Sequence, residues 1–258
     1  MRRALPALAL LAIAASLVPL ASAEVSQKQG VRVSVSGSLS PSNLPRKGTA
    51  PVAVSFGGKI GSVKSEGPPQ LEKISISINR NGKLDTRGLP RCRMGHIDPS
   101  TTDEAILACR SSLIGEGSFS ANVKLPEQSP FPSEGDVLAF NGRFRGRPAV
   151  FAHIFGTKPV PTSIVLPFVI EGTRGTFGTK LTASLPRVTG DWGYVTGIDM
   201  TLKRKYFFRG EARSYMSAGC PAPAGFQRTP FPLARTTFSF EGGLDVTSTL
   251  TRVCRVRG

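Results

Sequence analysis

The most site-like cluster in this chain is Gly190-Asp191-Trp192-Gly193-Tyr194, which sets the only tryptophan and one of three tyrosines beside a carboxylate. Flanked by glycines, such a turn could present an aromatic platform to a sugar ring while Asp191 hydrogen-bonds the ring hydroxyls. The plainer expectation is a turn whose Trp192 caps the hydrophobic core, because glycan faces usually use more than one such ring. A second chemistry is electrostatic. Arg143, Arg145 and Arg147 alternate and would line one strand face, and Lys203-Arg204-Lys205 and Arg209 cluster further on. Residues 201–258 hold ten basic and three acidic side chains.

Catalytic groups are sparse. The chain has two histidines. His153 lies in a run apolar on both faces, where a neutral, hydrogen-bonded core histidine is the expectation over a general base. His96 falls in an exposed segment between two cysteines. Neither Gly-x-Ser-x-Gly nor His-Glu-x-x-His occurs, nor does a glycine-rich phosphate loop. The acids are scattered. Only Glu134 and Asp136 show the i, i+2 spacing that a sandwich glycosidase would place in a groove, and Gly135 between them reads as a solvated junction. No catalytic residue and no cofactor are expected. Cys92, His96 and Cys109 offer three soft ligands where structural zinc wants four, so no metal is expected.

The elements that would position these residues are mostly strands. Val31, Val33 and Val35 alternate with polar neighbours, as do Ile74, Ile76 and Ile78, and each run predicts a strand with one buried face. Asn79-Arg80-Asn81-Gly82 predicts a tight hairpin turn. Asp136–Phe144 and Arg147–Phe155 predict a hairpin about Arg145-Gly146, with the second arm a central strand. Glu127–Gly135, with Pro130 and Pro132, reads as a surface loop, and Pro167 implies a bulge or an edge. Further strands are expected at Phe119–Leu125, Phe177–Leu185, Tyr194–Arg209, Ala212–Ser217, Ala234–Phe240 and Leu244–Val256. One helix interrupts the pattern near residues 100–112, with a capping box formed by Thr101 and Glu104. Its expected role is a lid on the end of a sheet. The total is an all-β fold, an antiparallel β-sandwich or jelly roll of about a dozen strands with one short helix.

Compartment and charge come from the ends and the totals. Met1-Arg2-Arg3, the apolar Ala4–Leu20 and Ala21-Ser22-Ala23 read as a signal peptide cleaved near Ala23, followed by a single domain over residues 24–258. The protein is then expected outside the cell or at its envelope, with no transmembrane segment in the mature chain. Four cysteines in an exported chain read as two disulfides. Of three connectivities, local geometry favours Cys92 with Cys109 and Cys220 with Cys254. The whole chain carries +16, and cleavage would remove Arg2 and Arg3 and leave +14. A basic surface outside the cytoplasm suits anionic partners such as wall phosphopolymers or acidic polysaccharide. Nucleic acid is not expected, because the cations are not interleaved with aromatic platforms.

Leu-Pro-Arg-Cys92, Thr-Thr-Asp-Glu-Ala105, Ala-Cys109-Arg and Leu-Ile-Gly-Glu-Gly117, with Phe119, resemble a group of secreted, disulfide-containing proteins of high-GC actinobacteria. The resemblance extends through Phe151-Ala-His153-Ile-Phe-Gly156, Gly-Asp-Trp-Gly193 and Ser-Ala-Gly-Cys-Pro221. It implies export, disulfides and a sandwich, and it carries over no activity. The functional expectation is an exported, non-enzymatic binding or structural protein that contacts anionic envelope polymers through basic surface. The alternative is a carbohydrate-active jelly roll using Asp191, Trp192 and Tyr194.

Overall fold

Alternating apolar runs set the strands, nine of which reach ten or more residues among the described residues. The computed structural model describes residues 23–64, 67–125, 127–186 and 193–257. In chain order the elements are β1 (Glu24–Lys28), β2 (Val31–Ser40), β3 (Asn43–Leu44), β4 (Ala50–Pro51), β5 (Ala53–Ser62), β6 (Leu71–Asn79) and β7 (Gly82–Leu84), then the α-helix α1 (Thr102–Cys109). After it come β8 (Leu113–Val123), β9 (Phe131–Phe144), β10 (Arg147–Gly156), β11 (Thr162–Gly172), β12 (Phe177–Ser184) and β13 (Gly193–Leu202). The last are β14 (Lys205–Phe208), β15 (Glu211–Ser214), β16 (Met216–Ala218), β17 (Arg228–Phe240) and β18 (Leu244–Val256). No helix of the described residues is long and apolar enough to cross a membrane.

Thirteen strands join one sheet in the order β1-β2-β5-β13-β8-β9-β10-β11-β12-β6-β17-β18-β3. Its pairs are antiparallel except β18 with β3. A twisted sheet of that size curls, and register shifts between Leu113 and Gly115, Val195 and Gly197, and Pro232 and Ala234 mark where it bends. The curl closes through side chains. Glu24 Oε1 accepts from the Thr251 amide at 3.2 Å and from Arg252 at 2.8 Å, and Arg252 Nε donates to the Gly37 carbonyl at 2.6 Å. The first two strands are thereby fastened to β18. At Gly117 the neighbouring strand comes so close that a Cβ would lie 1.8 Å from the Asp199 carbonyl oxygen, so only glycine fits.

One core fills the inside of the curl, where Val33, Val35, Val137, Ala139, Ala152, Phe238, Phe240 and Leu250 from opposite sides of the sheet pack together. The halves thus face each other across a shared apolar layer, as in a β-sandwich. A second, smaller core lies on the outer face, where Leu138, Phe140, Ala149 and Phe151 are covered by Ile97, Ala105 and the Cys92–Cys109 disulfide. Strands β9 and β10 are therefore buried on both faces, as the doubly apolar run of β10 predicts. The capping box is present. Thr101 accepts from the Glu104 amide, and Glu104 Oε2 accepts from the Thr101 amide at 2.8 Å. The helix covers the face of these two strands rather than the end of a sheet.

Several local expectations are corrected. Asn79–Gly82 does turn the chain, but no hairpin follows. Strand β7 pairs with β16 while β6 pairs with β12 and β17. The Asn79 side chain is buried and donates to the Pro232 carbonyl at 2.8 Å, which anchors the turn from inside. The expected loop at 127–135 becomes strand from Phe131 onward, held by β8 on one side and then β10 on the other. The single strand expected over Tyr194–Arg209 breaks at Lys203 into β13 and a small β14–β15 hairpin. Pro167 lies on the stretch of β11 that β12 leaves unpaired, since those two strands bond only over Val169–Gly172.

Candidate functional site

Apart from residues 94–112, which lie over the outer face, the connecting segments are sorted by the antiparallel strands to two ends of the curled sheet, and the ends differ in chemistry. The β9–β10 hairpin marks the first end. Arg145 and Gly146 form its turn, both with positive φ (48° and 79°), and Phe144 pairs with Arg147. The three arginines therefore do not line one face. Arg145 sits in the turn itself, and the register sends Arg143 and Arg147 to opposite faces of the sheet. Arg143 folds onto the Gly146 carbonyl, Arg145 lies over the Phe144 ring at 5.1 Å, and Arg147 pairs with Glu171.

Around that hairpin gather residues 41–52, 80–93, 173–176, 203–227 and 257, because β2, β6, β11, β13 and β18 end there and β5, β10, β12 and β17 begin there. With the hairpin turn, these segments hold fifteen Lys or Arg and two acids, Asp85 and Glu211. The second disulfide, Cys220–Cys254, ties this layer to β18. Asp85 is its hub. It pairs with Arg87 at 3.0 Å and with Arg213 at 2.8 Å, and the Tyr206 hydroxyl bonds the neighbouring carbonyls of Asp85 and Arg87. The hydrogen bond from Arg87 is the main cause that lowers the Asp85 carboxyl to about 2, assisted by Arg213. Lys47, Lys83, Arg91, Arg93, Lys205 and Arg209 stand exposed on the segments gathered at this end. Phe207, between the last two, is 80% exposed at the tip of the β14–β15 hairpin.

The opposite end is close to neutral. Among the described residues its connecting segments hold Lys64, Lys124 and Lys158 against Glu127 and Glu241. Here the inner core opens, among the described residues, into a cavity of about 630 Å³. Phe119, Ala121 and Val123 of β8, Ile154 of β10, and Ile164 and Leu166 of β11 supply apolar walls, with Leu71, Leu185 and Val195 completing them. The opening follows from the β11–β12 splay, because the half of β11 that carries Ile164 and Leu166 has only β10 beside it. Polar groups ring the mouth and are largely spoken for. Gln70 donates to the Gly193 carbonyl at 2.6 Å, Asn122 donates to the Tyr194 hydroxyl at 3.1 Å, and Ser133 donates to the Lys158 carbonyl at 2.7 Å.

Of the expected aromatic platform, Asp191 and Trp192 lie outside the described residues. Tyr194 is part of the cavity wall, and its ring packs on Gly67 so closely that a Cβ there would fall 2.6 Å from the ring. His153 is a core histidine under the helix entry. Its Nε2 lies 3.0 Å from the Ser100 carbonyl and 3.2 Å and 3.3 Å from the Ser100 and Ser163 hydroxyls, and burial pushes its pKa down. Asp136 accepts from the Thr102 hydroxyl at 2.9 Å, which ties it to the helix start rather than to Glu134. Cys92 and Cys109 are consumed by their disulfide, and among the described residues no group of three His, Cys, Asp or Glu could hold a metal ion.

Neither the cavity nor the basic end is visible as a sequence motif. Each cavity residue reads singly as core, and the cationic clusters at 143–147 and 203–209 do not by themselves show which segments meet at one end. No family model matches the chain, and no curated protein or solved structure matches it either.

Proposed function

We propose that this is an exported, non-enzymatic binding protein that attaches to anionic cell-wall polymer through the basic end of its sheet. The observation that carries the reading is the excess of fifteen basic over two acidic side chains in the segments gathered at that end. Charge so concentrated raises the local potential and draws in polyanions. A flexible polymer with repeated phosphate or carboxylate groups matches cations spread over several loops better than a compact ligand does. Two disulfides suit a protein that works in an oxidising compartment.

The test is retention of the purified protein on isolated cell walls and on acidic and neutral polysaccharides, between low salt and 1 M NaCl. Screening shortens from about 10 Å at 0.1 M to about 3 Å at 1 M, so the expected retention on anionic material is lost at high salt. The charge reversal Lys205→Glu with Arg209→Glu should weaken it several-fold. Retention that persists in 1 M NaCl, or that the reversal leaves intact, would overturn the reading.

A further inference from the structure

The cavity at the neutral end has the composition of a ligand site and lies at the far end of the sheet from the basic segments. Its volume, about 630 Å³, falls within the range of roughly 300–1,000 Å³ typical of sites for small molecules. Its walls are the inward positions of strands that elsewhere close the core, so the apolar pattern runs on past the point where the opposite side of the sheet fills it. Phe119, Ala121, Ile154, Ile164 and Leu166 offer contact to hydrocarbon. The amides and hydroxyl at the mouth bond to one another or to backbone, which leaves few donors to satisfy a ligand rich in hydroxyls. A sugar ring buried among aliphatic walls would leave its hydroxyls unpaired, and each unpaired hydroxyl weakens binding. A hydrocarbon chain carries no such penalty and binds more tightly with each methylene removed from water.

We infer that this cavity binds a small lipid, a single aliphatic chain inserted between β8 and β11 with its polar end at the mouth beside Lys158 and Tyr194. Val160, in the β10–β11 loop, lines the cavity and is 62% exposed, so the rim also presents apolar surface to an entering chain. The site and the basic end lie at opposite ends of the sheet, and lipid uptake does not depend on the polymer reading being right.

The probes are Nile red, hexadecanoic acid and hexadecan-1-ol, titrated into the purified protein in low salt and in 1 M NaCl. Nile red emission reports transfer of the dye from water to an apolar environment, and titration to saturation gives the number of sites per chain. The expected result is saturable Nile red uptake at one site per chain, displaced by both aliphatic compounds at micromolar concentration and undiminished by salt. Ala121→Phe, which puts a ring into the cavity, should lower affinity at least tenfold with an unchanged thermal midpoint. Should that variant not fold, Ile164→Gln supplies the same comparison from the opposite wall. Uptake that 1 M NaCl abolishes would assign the probe to the basic surface and overturn the inference. So would uptake unaltered in either folded variant. Absence of saturable uptake in low salt would also overturn it.

Discussion

The two ends of the curled sheet are made from the same strands, yet one gathers charge and the other leaves an apolar hollow. The difference lies in how the chain crosses between strands. At the hollow end no connection among the described residues forms a strand of its own, and two of them, Gln29-Gly30 and residues 157–161, are short. At the basic end the connections at 80–93 and 203–227 are long enough to form their own strands, β7 and β14 to β16, which plug the curl with Tyr215, Met216 and Ala218. A plugged end offers only its outer surface to partners, and there the charge resides. An open end offers its interior.

The largest effect that can sharpen this contrast comes from the covalent tie of the plug. The Cys220–Cys254 bond closes a separation of 34 residues, and Cys92–Cys109 closes 17. On loop-closure entropy the first is worth about 4 kcal/mol and the second about 3 kcal/mol. Denaturant unfolding of Cys220→Ala with Cys254→Ala should show the greater loss. A smaller loss than for Cys92→Ala with Cys109→Ala would mean that the plug is held mainly by packing.

Next in size is the hub of the basic end. Asp85→Asn leaves Arg87 and Arg213 facing each other without the carboxylate and should cost roughly 1 kcal/mol at pH 7. The sign of its pH dependence is fixed by the lowered carboxyl. An unfolded chain takes up the proton near the ordinary aspartate value and the folded chain only near 2, so this contribution is full above about pH 4 and fades as the pH falls toward 2. The gap between wild type and Asp85→Asn should therefore close in acid. A gap that stays constant from pH 7 to pH 2 would refute the hub.

A third effect belongs to the outer face rather than to either end. His153 is held neutral under the helix entry, with its pKa depressed by burial. The unfolded chain binds the proton first, so stability is full above about pH 6.5 and falls as the pH drops below it. Unfolding at pH 7.5 and pH 5 should show the loss, and His153→Gln should remove most of that difference. An equal pH dependence in the variant would place its origin elsewhere.

These regions were unequally legible in the sequence. Strand alternation, the capping box of Thr101 and Glu104, the hairpin at Arg145-Gly146 and both disulfide pairs are local, and each follows from residues close in the chain. The hairpin expected at Asn79–Gly82 failed because the burial of Asn79 against Pro232, a contact 153 residues away, decides where the chain goes next. The contrast between the ends was hidden for the same reason. Alternation along Arg143, Arg145 and Arg147 promised one basic face, but positive φ at the turn and the pairing register divide them. Only the strand order brings residues 41–52, 80–93 and 203–227 together, or sets Ala121 of β8 across a hollow from Ile164 of β11.

The smallest expected effect tests how completely the plug is satisfied. Tyr215 is fully buried in the plug, and its hydroxyl has no hydrogen-bond partner among the described residues, while burial pushes its pKa up. Its amide is bonded to the Arg204 carbonyl, so the backbone is held and the side chain alone carries the deficit. Losing an unpaired hydroxyl relieves desolvation of about 1 kcal/mol and leaves the ring contacts in place. Tyr215→Phe should therefore unfold at equal or slightly higher denaturant than wild type, whereas Tyr215→Ala, which empties the same site, should lose about 3–5 kcal/mol. A Phe variant destabilised by more than about 1 kcal/mol would mean that the hydroxyl is bonded, and that the basic end is packed around a polar contact rather than over an apolar plug.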